Sequence, residues 1–158
     1  MRNPNINQAF LTTLSPYFKN NDIKELVLHA LGCSFEEIAN SEEWPISGFY
    51  LQVTDQVFSL YLTTPGRFIL AELSTQGDIL TVMLPIERIT RVVSQLSNGT
   101  YTLTIEIDAD GSVVRNFKEE SGEIYTRSFP SAYIINASGS TIPALGNFAT
   151  GLRSLLAL

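Results

Sequence analysis

His29 and Cys33 stand four residues apart, a spacing that puts two side chains on one face of a continuous helix. An imidazole so placed could take the thiol proton and leave a thiolate nucleophile. Gly32 lies between them, however, and glycine after an apolar helical stripe is where a helix ends in a left-handed turn. The pair is therefore expected to be split, with an inert thiol and a surface or hydrogen-bonded histidine. His29 is the only histidine, which excludes a site built from several imidazoles.

A second group is acidic. Glu106, Asp108, Asp110 and Gly111 echo the opening of a calcium loop, because a hard cation takes oxygen ligands at alternate positions. Counted from Asp108, the sixth position is Val113 where the loop needs glycine, although Glu119 falls at the twelfth. Counted from Glu106, Gly111 is well placed but Phe117 occupies the closing ligand position. The preceding residues have strand periodicity, so Asp110-Gly111 reads as a hairpin turn, with weak cation binding at Asp108 and Asp110 as the alternative. No Gly-x-Ser-x-Gly, Gly-x-Gly-x-x-Gly or Walker-type loop occurs. Paired carboxylates for glycosidic chemistry meet in space rather than along the chain, and nothing points to a pair here. The expectation is a protein that is not an enzyme, with no catalytic residues, no metal and no cofactor.

The bulk numbers agree with a binding role. The 158 residues suit one domain. They are 44% hydrophobic and only 16% charged, against about 25% in an ordinary soluble domain. A net charge of -6 argues against a nucleic-acid module and against docking to anionic lipid. It suits a basic protein partner, or simply solubility. One cysteine allows no intrachain disulfide. The first residues, MRNPNINQAF, do not resemble a secretion signal, and no run approaches the roughly 18 apolar residues of a membrane span. The glycosylation triplets at Asn98 and Asn136 are then chance matches, and the expected location is the cytoplasm.

The elements that must position these residues fall into two parts. Residues 1–45 read as a helical extension packed on the core. Ile6, Phe10, Leu11 and Leu14 recur at helical spacing before Pro16. Asp22 and Glu25 have capping-box spacing ahead of a stripe of Ile23, Leu26, Val27, Ala30 and Leu31, closed by Gly32. Ser34 and Glu37 repeat the start signal for a turn through Ala39. This is the more acidic end of the chain.

Residues 46–158 alternate instead. Phe49, Leu51 and Val53 form one strand face and Phe58, Leu60 and Leu62 the next, joined by Thr54-Asp55-Gln56. After Pro65-Gly66, Phe68-Ile69-Leu70-Ala71 is apolar on both faces, as in a central strand. Gln76-Gly77-Asp78 turns the chain into Ile79–Leu84, which Pro85 stops. Residues 86–96 admit a helix or a strand; Ile86, Ile89 and Val93 fit a helix, but β-branched crowding favours a single turn and then a strand. Asn98-Gly99 is a hairpin signal leading into Tyr101–Ile107, dry on one face and wet on the other. Pairing is expected near Val113-Val114 and Phe117, then strands near Ile124–Phe129 and Ala132–Ile135. A C-terminal helix over 142–157, capped by Ser140 or Thr141, gathers Ile142, Leu145, Phe148, Ala149, Leu152, Leu155 and Leu156 in one arc. The fold class is mainly β (α+β): a small antiparallel barrel or sandwich closed by that helix.

This pattern resembles the pleckstrin-homology-like (PH-like) superfold over residues 47–158. LTTPGRFILAEL, DILTVMLPIERITRV and NGTYTLTIEID resemble the strands of bacterial members, and PALGNFATGLRSLLAL the helix that plugs the barrel. The resemblance implies binding of lipids, peptides or proteins, or scaffolding. Members that bind phosphoinositides place several Lys and Arg around the first hairpin, whereas here Thr54-Asp55-Gln56 holds none and Arg67 stands alone, so such binding is not implied. The helical first 45 residues and the surplus strand depart from the pattern.

Two readings follow. One is a non-catalytic protein-protein interaction or scaffolding domain, with contacts along a strand edge or across the N-terminal helices. The alternative is a small acidic chaperone or structural assembly protein, phage or secretion related, since a small acidic chain with helices at both ends also resembles secretion-type chaperones. A helix at residues 86–96 would favour the second, a strand the first. A homo-oligomer is possible, and a stable one with nothing attached would favour the second.

Overall fold

The computed structural model describes residues 4–40, 46–108, 113–118, 123–128 and 131–156. Three helices open the fold. The first, α1 (Pro4–Leu14), gives way at Pro16 to a single 3-10 turn, Ser15–Tyr17. Next comes α2 (Asn21–Leu31). Its cap is Asn20 rather than Asp22: the Asn20 Oδ1 accepts from the backbone N–H of Asp22 (3.0 Å) and of Ile23 (3.1 Å). An amide oxygen standing just before the first helical residue reaches these orphan donors, and it leaves Asp22 in the first turn, where a carboxylate meets the positive end of the helix. Gly32 ends α2 at φ 74°, as its position past the stripe implies. Ser34 and Glu37 do form a reciprocal cap for α3 (Phe35–Asn40), at 3.0 and 3.2 Å.

Nine strands follow among the described residues: β1 (Gly48–Val53), β2 (Val57–Thr64), β3 (Arg67–Ser74), β4 (Ile79–Pro85), β5 (Ile89–Ser97), β6 (Thr100–Ile107), β7 (Val113–Lys118), β8 (Glu123–Ser128) and β9 (Ala132–Ser138). Residues 86–96 resolve as a 3-10 turn, Ile86–Arg88, and then β5, because the β-branched side chains pair better across a ladder than they stack along a helix. Every pairing is antiparallel. One sheet has the order β1-β2-β3-β4-β7-β8 and the other β5-β6-β9. The surplus strands are an excursion: the β7–β8 hairpin leaves the three-stranded sheet and pairs beside the start of β4, Ile79 opposite Phe117. Between β5 and β6, Asn98 (φ 53°) and Gly99 (φ 76°) make the two-residue turn that both positive angles permit.

The six-stranded sheet is buried on both faces of its central strands. Phe58, Leu60, Leu62, Ile69, Ala71, Leu73 and Ile79 pack under the helices, against Phe10, Leu14, Leu26, Val27 and Ile38. Ring contacts fix the joint, Phe10 edge-on to Phe49 at 5.4 Å and Tyr17 to Phe58 at 5.0 Å. On the other face, Tyr50, Tyr61, Phe68, Leu70, Val82 and Leu84 meet Leu103, Ile105 and Ile135 of the smaller sheet. The layers are helices, large sheet, small sheet.

The last helix, α4 (Ile142–Leu156), closes this second core with Leu145, Phe148, Ala149 and Leu152. Its entry is a 3-10 turn, Gly139–Thr141, that begins earlier than a cap at Ser140 or Thr141 would. Thr141 Oγ1 accepts from the Ser138 N–H (3.2 Å) and donates to the Ser138 carbonyl (2.8 Å), so the hydroxyl secures the strand-to-helix corner. Close approach of α4 to β1 depends on Gly48, where a Cβ would stand 3.1 Å from Thr63 Oγ1 and 3.7 Å from the Phe148 ring.

Two substitutions in α4 should act in opposite directions. Phe148→Ala empties a buried site and should destabilise by about 3–5 kcal/mol. At Gly146, where an added Cβ would meet nothing within 4 Å, Gly146→Ala should stabilise by about 0.5–1 kcal/mol. Urea titration of both variants checks the pair. A further expectation concerns Tyr61, whose ionisation is pushed up by burial first, then by Glu72, Tyr133 and Tyr50. The unfolded chain releases that phenolic proton from about pH 10, while the folded chain retains it, so stability falls as pH rises beyond that value. Tyr61→Phe should flatten this alkaline limb in denaturation curves taken across the range.

Candidate functional site

The described chemistry-bearing residues stand in separate places, His29 on α2, Cys33 just beyond its end, and Glu106 and Asp108 at the end of β6. Gly32 divides His29 from Cys33, as its spacing implies. His29 Nε2 lies 3.6 Å from Glu25 Oε2, one turn back along α2. The Cys33 thiol donates to the Leu31 carbonyl at 3.5 Å. Burial foremost, and then the Glu37 carboxylate, push its pKa up. A nucleophilic cysteine needs the opposite, an electropositive setting that favours the thiolate.

Of the acidic group, Glu106 pairs with Arg91 across the β5–β6 ladder. Asp108 holds the corner after β6, its N–H donating to the Arg88 carbonyl at 2.8 Å. Asp110, Gly111 and Glu119 lie outside the described residues. Among the described residues no three His, Cys, Asp or Glu side chains gather as metal ligands. In the first hairpin, the Thr54 hydroxyl turns back on its own loop and accepts from the Val57 N–H at 3.1 Å.

What the fold does build is a groove in the helical layer, enclosing about 510 Å³ between α1, α2 and α3. That volume lies within the range of small-ligand and anchor-residue pockets, about 300–1,000 Å³. Its apolar lining comes from Leu11 of α1, Phe18 beyond the 3-10 turn, Leu28 of α2, and Phe35 and Ala39 of α3. The Phe18 and Phe35 rings lean together at 4.7 Å, tilted by 45°. Lys24, Glu25, Ser34 and Glu36 complete the lining with polar groups. Leu28 is 42% exposed, although α2 has a complete buried stripe of Ile23, Leu26, Val27 and Ala30 without it.

No protein-family model, curated protein or solved structure matches this chain.

The groove was not visible as a site in the sequence. Leu11 reads as part of the α1 core stripe, and Phe18 and Phe35 belong to no stripe at all. One signal was present: Leu28 is a large apolar residue on the wet side of an otherwise amphipathic helix. The Ser34–Glu37 cap sets the start of α3, which contributes Phe35, Glu36 and Ala39 to the groove wall. Chemically the groove can bury an apolar side chain, while Glu25 and Glu36 can accept hydrogen bonds from a cationic one. Its Ser34 hydroxyl accepts from the Glu37 N–H. Among the described residues no helix is long and apolar enough to cross a membrane.

Cys33 supplies a check on these electrostatics. Alkylation by iodoacetamide near neutral pH should be slower in the folded protein than in the unfolded chain. Glu37→Gln keeps an oxygen to accept from the Ser34 N–H, so α3 should persist while the rate rises. The rise should stay below about tenfold, the change in thiolate fraction for one pKa unit. A rate unchanged by Glu37→Gln would show that burial alone sets the thiol.

Proposed function

We propose that this chain is a non-catalytic protein-protein interaction or scaffolding domain of PH-like architecture, its two sheets stacked as a small sandwich and closed by α4. Its helical layer would seat an apolar side chain from a basic partner segment. The observation that carries this reading is the open apolar groove, whose lining holds two carboxylates, Glu25 and Glu36, against one ammonium, Lys24. Charge supports the sign of the partner. Described residues 4–40 hold Asp22, Glu25, Glu36 and Glu37 against Lys19 and Lys24, four acidic groups to two basic ones. A run of antiparallel strands ending in an amphipathic helix, with a strand rather than a helix at residues 89–97, favours this reading over the acidic chaperone. The location that accompanies it is the cytoplasm.

Binding here is expected to be modest. Burying one large apolar side chain contributes about 1.5–3 kcal/mol, and ion pairs at the rim add little beyond steering. Selection from a random peptide library against the intact protein tests the site. Enriched peptides should carry a bulky apolar residue next to Lys or Arg, and should bind more weakly as salt is raised. Leu28→Glu, at an exposed position, should leave the fold intact and weaken those peptides at least about tenfold, the loss typical of an anchor contact. Enrichment of acidic peptides, or equal binding by Leu28→Glu, would remove the groove from the function.

A further inference from the structure

The large and small sheets treat their edges differently. In the small sheet, β9 is approached from outside by β1: the Gln52 side chain donates to the Asn136 carbonyl at 3.4 Å. Among the described residues the opposite edge, β5, pairs only with β6. Of its nine residues Ile89 alone is buried and Val92 is half-buried, while the other seven are exposed. The α4 helix touches β5 from the inner side, where Arg153 Nη2 donates to Ser94 Oγ at 2.6 Å, and β5 stands at the end of the strand order among the described residues.

Open edges are normally guarded by charge, proline or a bulge. Within the strand itself, the guards of β5 stand at its beginning; the charge that reaches its middle is Arg153, from α4. Glu87, Arg88 and Arg91 gather there, and the register slips between Ile89 and Arg91. From Val92 to Ser97 there is neither a charge nor a proline. Apolar side chains are exposed along the same stretch. Val93 (39% exposed) shares a rung with Thr104 and with Ile134 (62%) on the outer face, and Leu96 (66%) lies beyond the reach of α4.

We propose that the Val92–Ser97 edge pairs antiparallel with the same edge of a second copy of this chain, about a two-fold axis, joining two small sheets into one of six strands. Charge selects this occupant. At -6 overall, copies repel one another, and the acidic helical layer repels most. The surroundings of β5 are balanced: Arg88, Arg91 and Arg153 face Glu87, Glu106 and Asp108, three charges of each sign across residues 86–108 and 131–156. Antiparallel pairing sets each Arg91 beside the uncharged far end of the partner strand rather than beside the partner's Arg91. A basic partner segment would gain nothing here, whereas an identical uncharged strand matches it. Two-fold pairing also consumes both open edges and closes the assembly, where a head-to-tail contact would continue into a fibre.

The test is light scattering on the full chain over a range of concentrations, with hydrogen exchange read at both ends of the range. A reversible dimer is expected, with the amides of residues 92–97 exchanging more slowly at high concentration and those of residues 20–40 unchanged. Val93→Lys combined with Leu96→Lys places like charges across the pairing and should weaken the dimer at least about tenfold. Both positions are exposed, so circular dichroism should show the fold intact; the exchange measurement needs no substitution if it is not. A monomer at every concentration overturns the proposal. So does a dimer whose added protection falls on residues 20–40 or 123–128, or a folded Lys variant that dimerises like the parent.

Discussion

Burial of the large sheet on both faces is the constraint from which the rest of the structure follows. In β2, Phe58, Leu60 and Leu62 point one way while Ser59, Tyr61 and Thr63 point the other; in β3, Ile69, Ala71 and Leu73 alternate with Phe68 and Leu70 in the same manner. A period of two residues sends successive side chains to opposite faces, so a strand apolar at successive positions must be covered twice. Three helices supply one cover, and the small sheet with α4 the other. None of these covers is self-sufficient. Helices of 11 residues are marginal alone in water, and α4 carries glycines at 146 and 151. They hold their shape because docking buries their stripes. Two apolar cores in one chain also account for its low content of charge.

The parts of this arrangement that depend on local sequence could be read directly. The two-faced run from Phe68 to Ala71 announces a central strand, Asn98-Gly99 a hairpin, Gly32 a helix end, and the Ser34–Glu37 spacing a cap. Short connections made antiparallel neighbours the natural outcome. Where several residues offered the same hydrogen bond, position along the chain was harder to settle. Asn20, Asp22, Ser138, Ser140 and Thr141 all carry acceptors suited to a helix start, and the choice among them rests on backbone direction at the preceding corner. That direction is set by packing, not by composition.

Long-range features left no comparable trace. The β7–β8 hairpin pairs with β4 across more than thirty intervening residues, and nothing in Val113–Lys118 specifies that edge. The groove is subtler still. It is a gap between three helices, lined by residues that each look ordinary in their own segment. Only Leu28, apolar on a face that should be polar, carries a signal in sequence, and one exposed leucine is common enough to pass unnoticed.

The two proposed contact surfaces are set apart by the same central sheet. The groove opens in the layer on one of its faces, and β5 belongs to the layer on the other. Their electrostatics differ as well, acidic in the helices and balanced around β5. On these proposals a cationic segment would be drawn to the groove rather than to the strand edge, and a second copy would meet least repulsion away from the groove. The consequence is one of valency. A pair joined through β5 would hold two grooves in a fixed relation, and a partner carrying two basic segments at the matching span would gain effective concentration for the second contact. A single groove of this kind would bind weakly; held in duplicate, it would discriminate partners by spacing as well as by side chain.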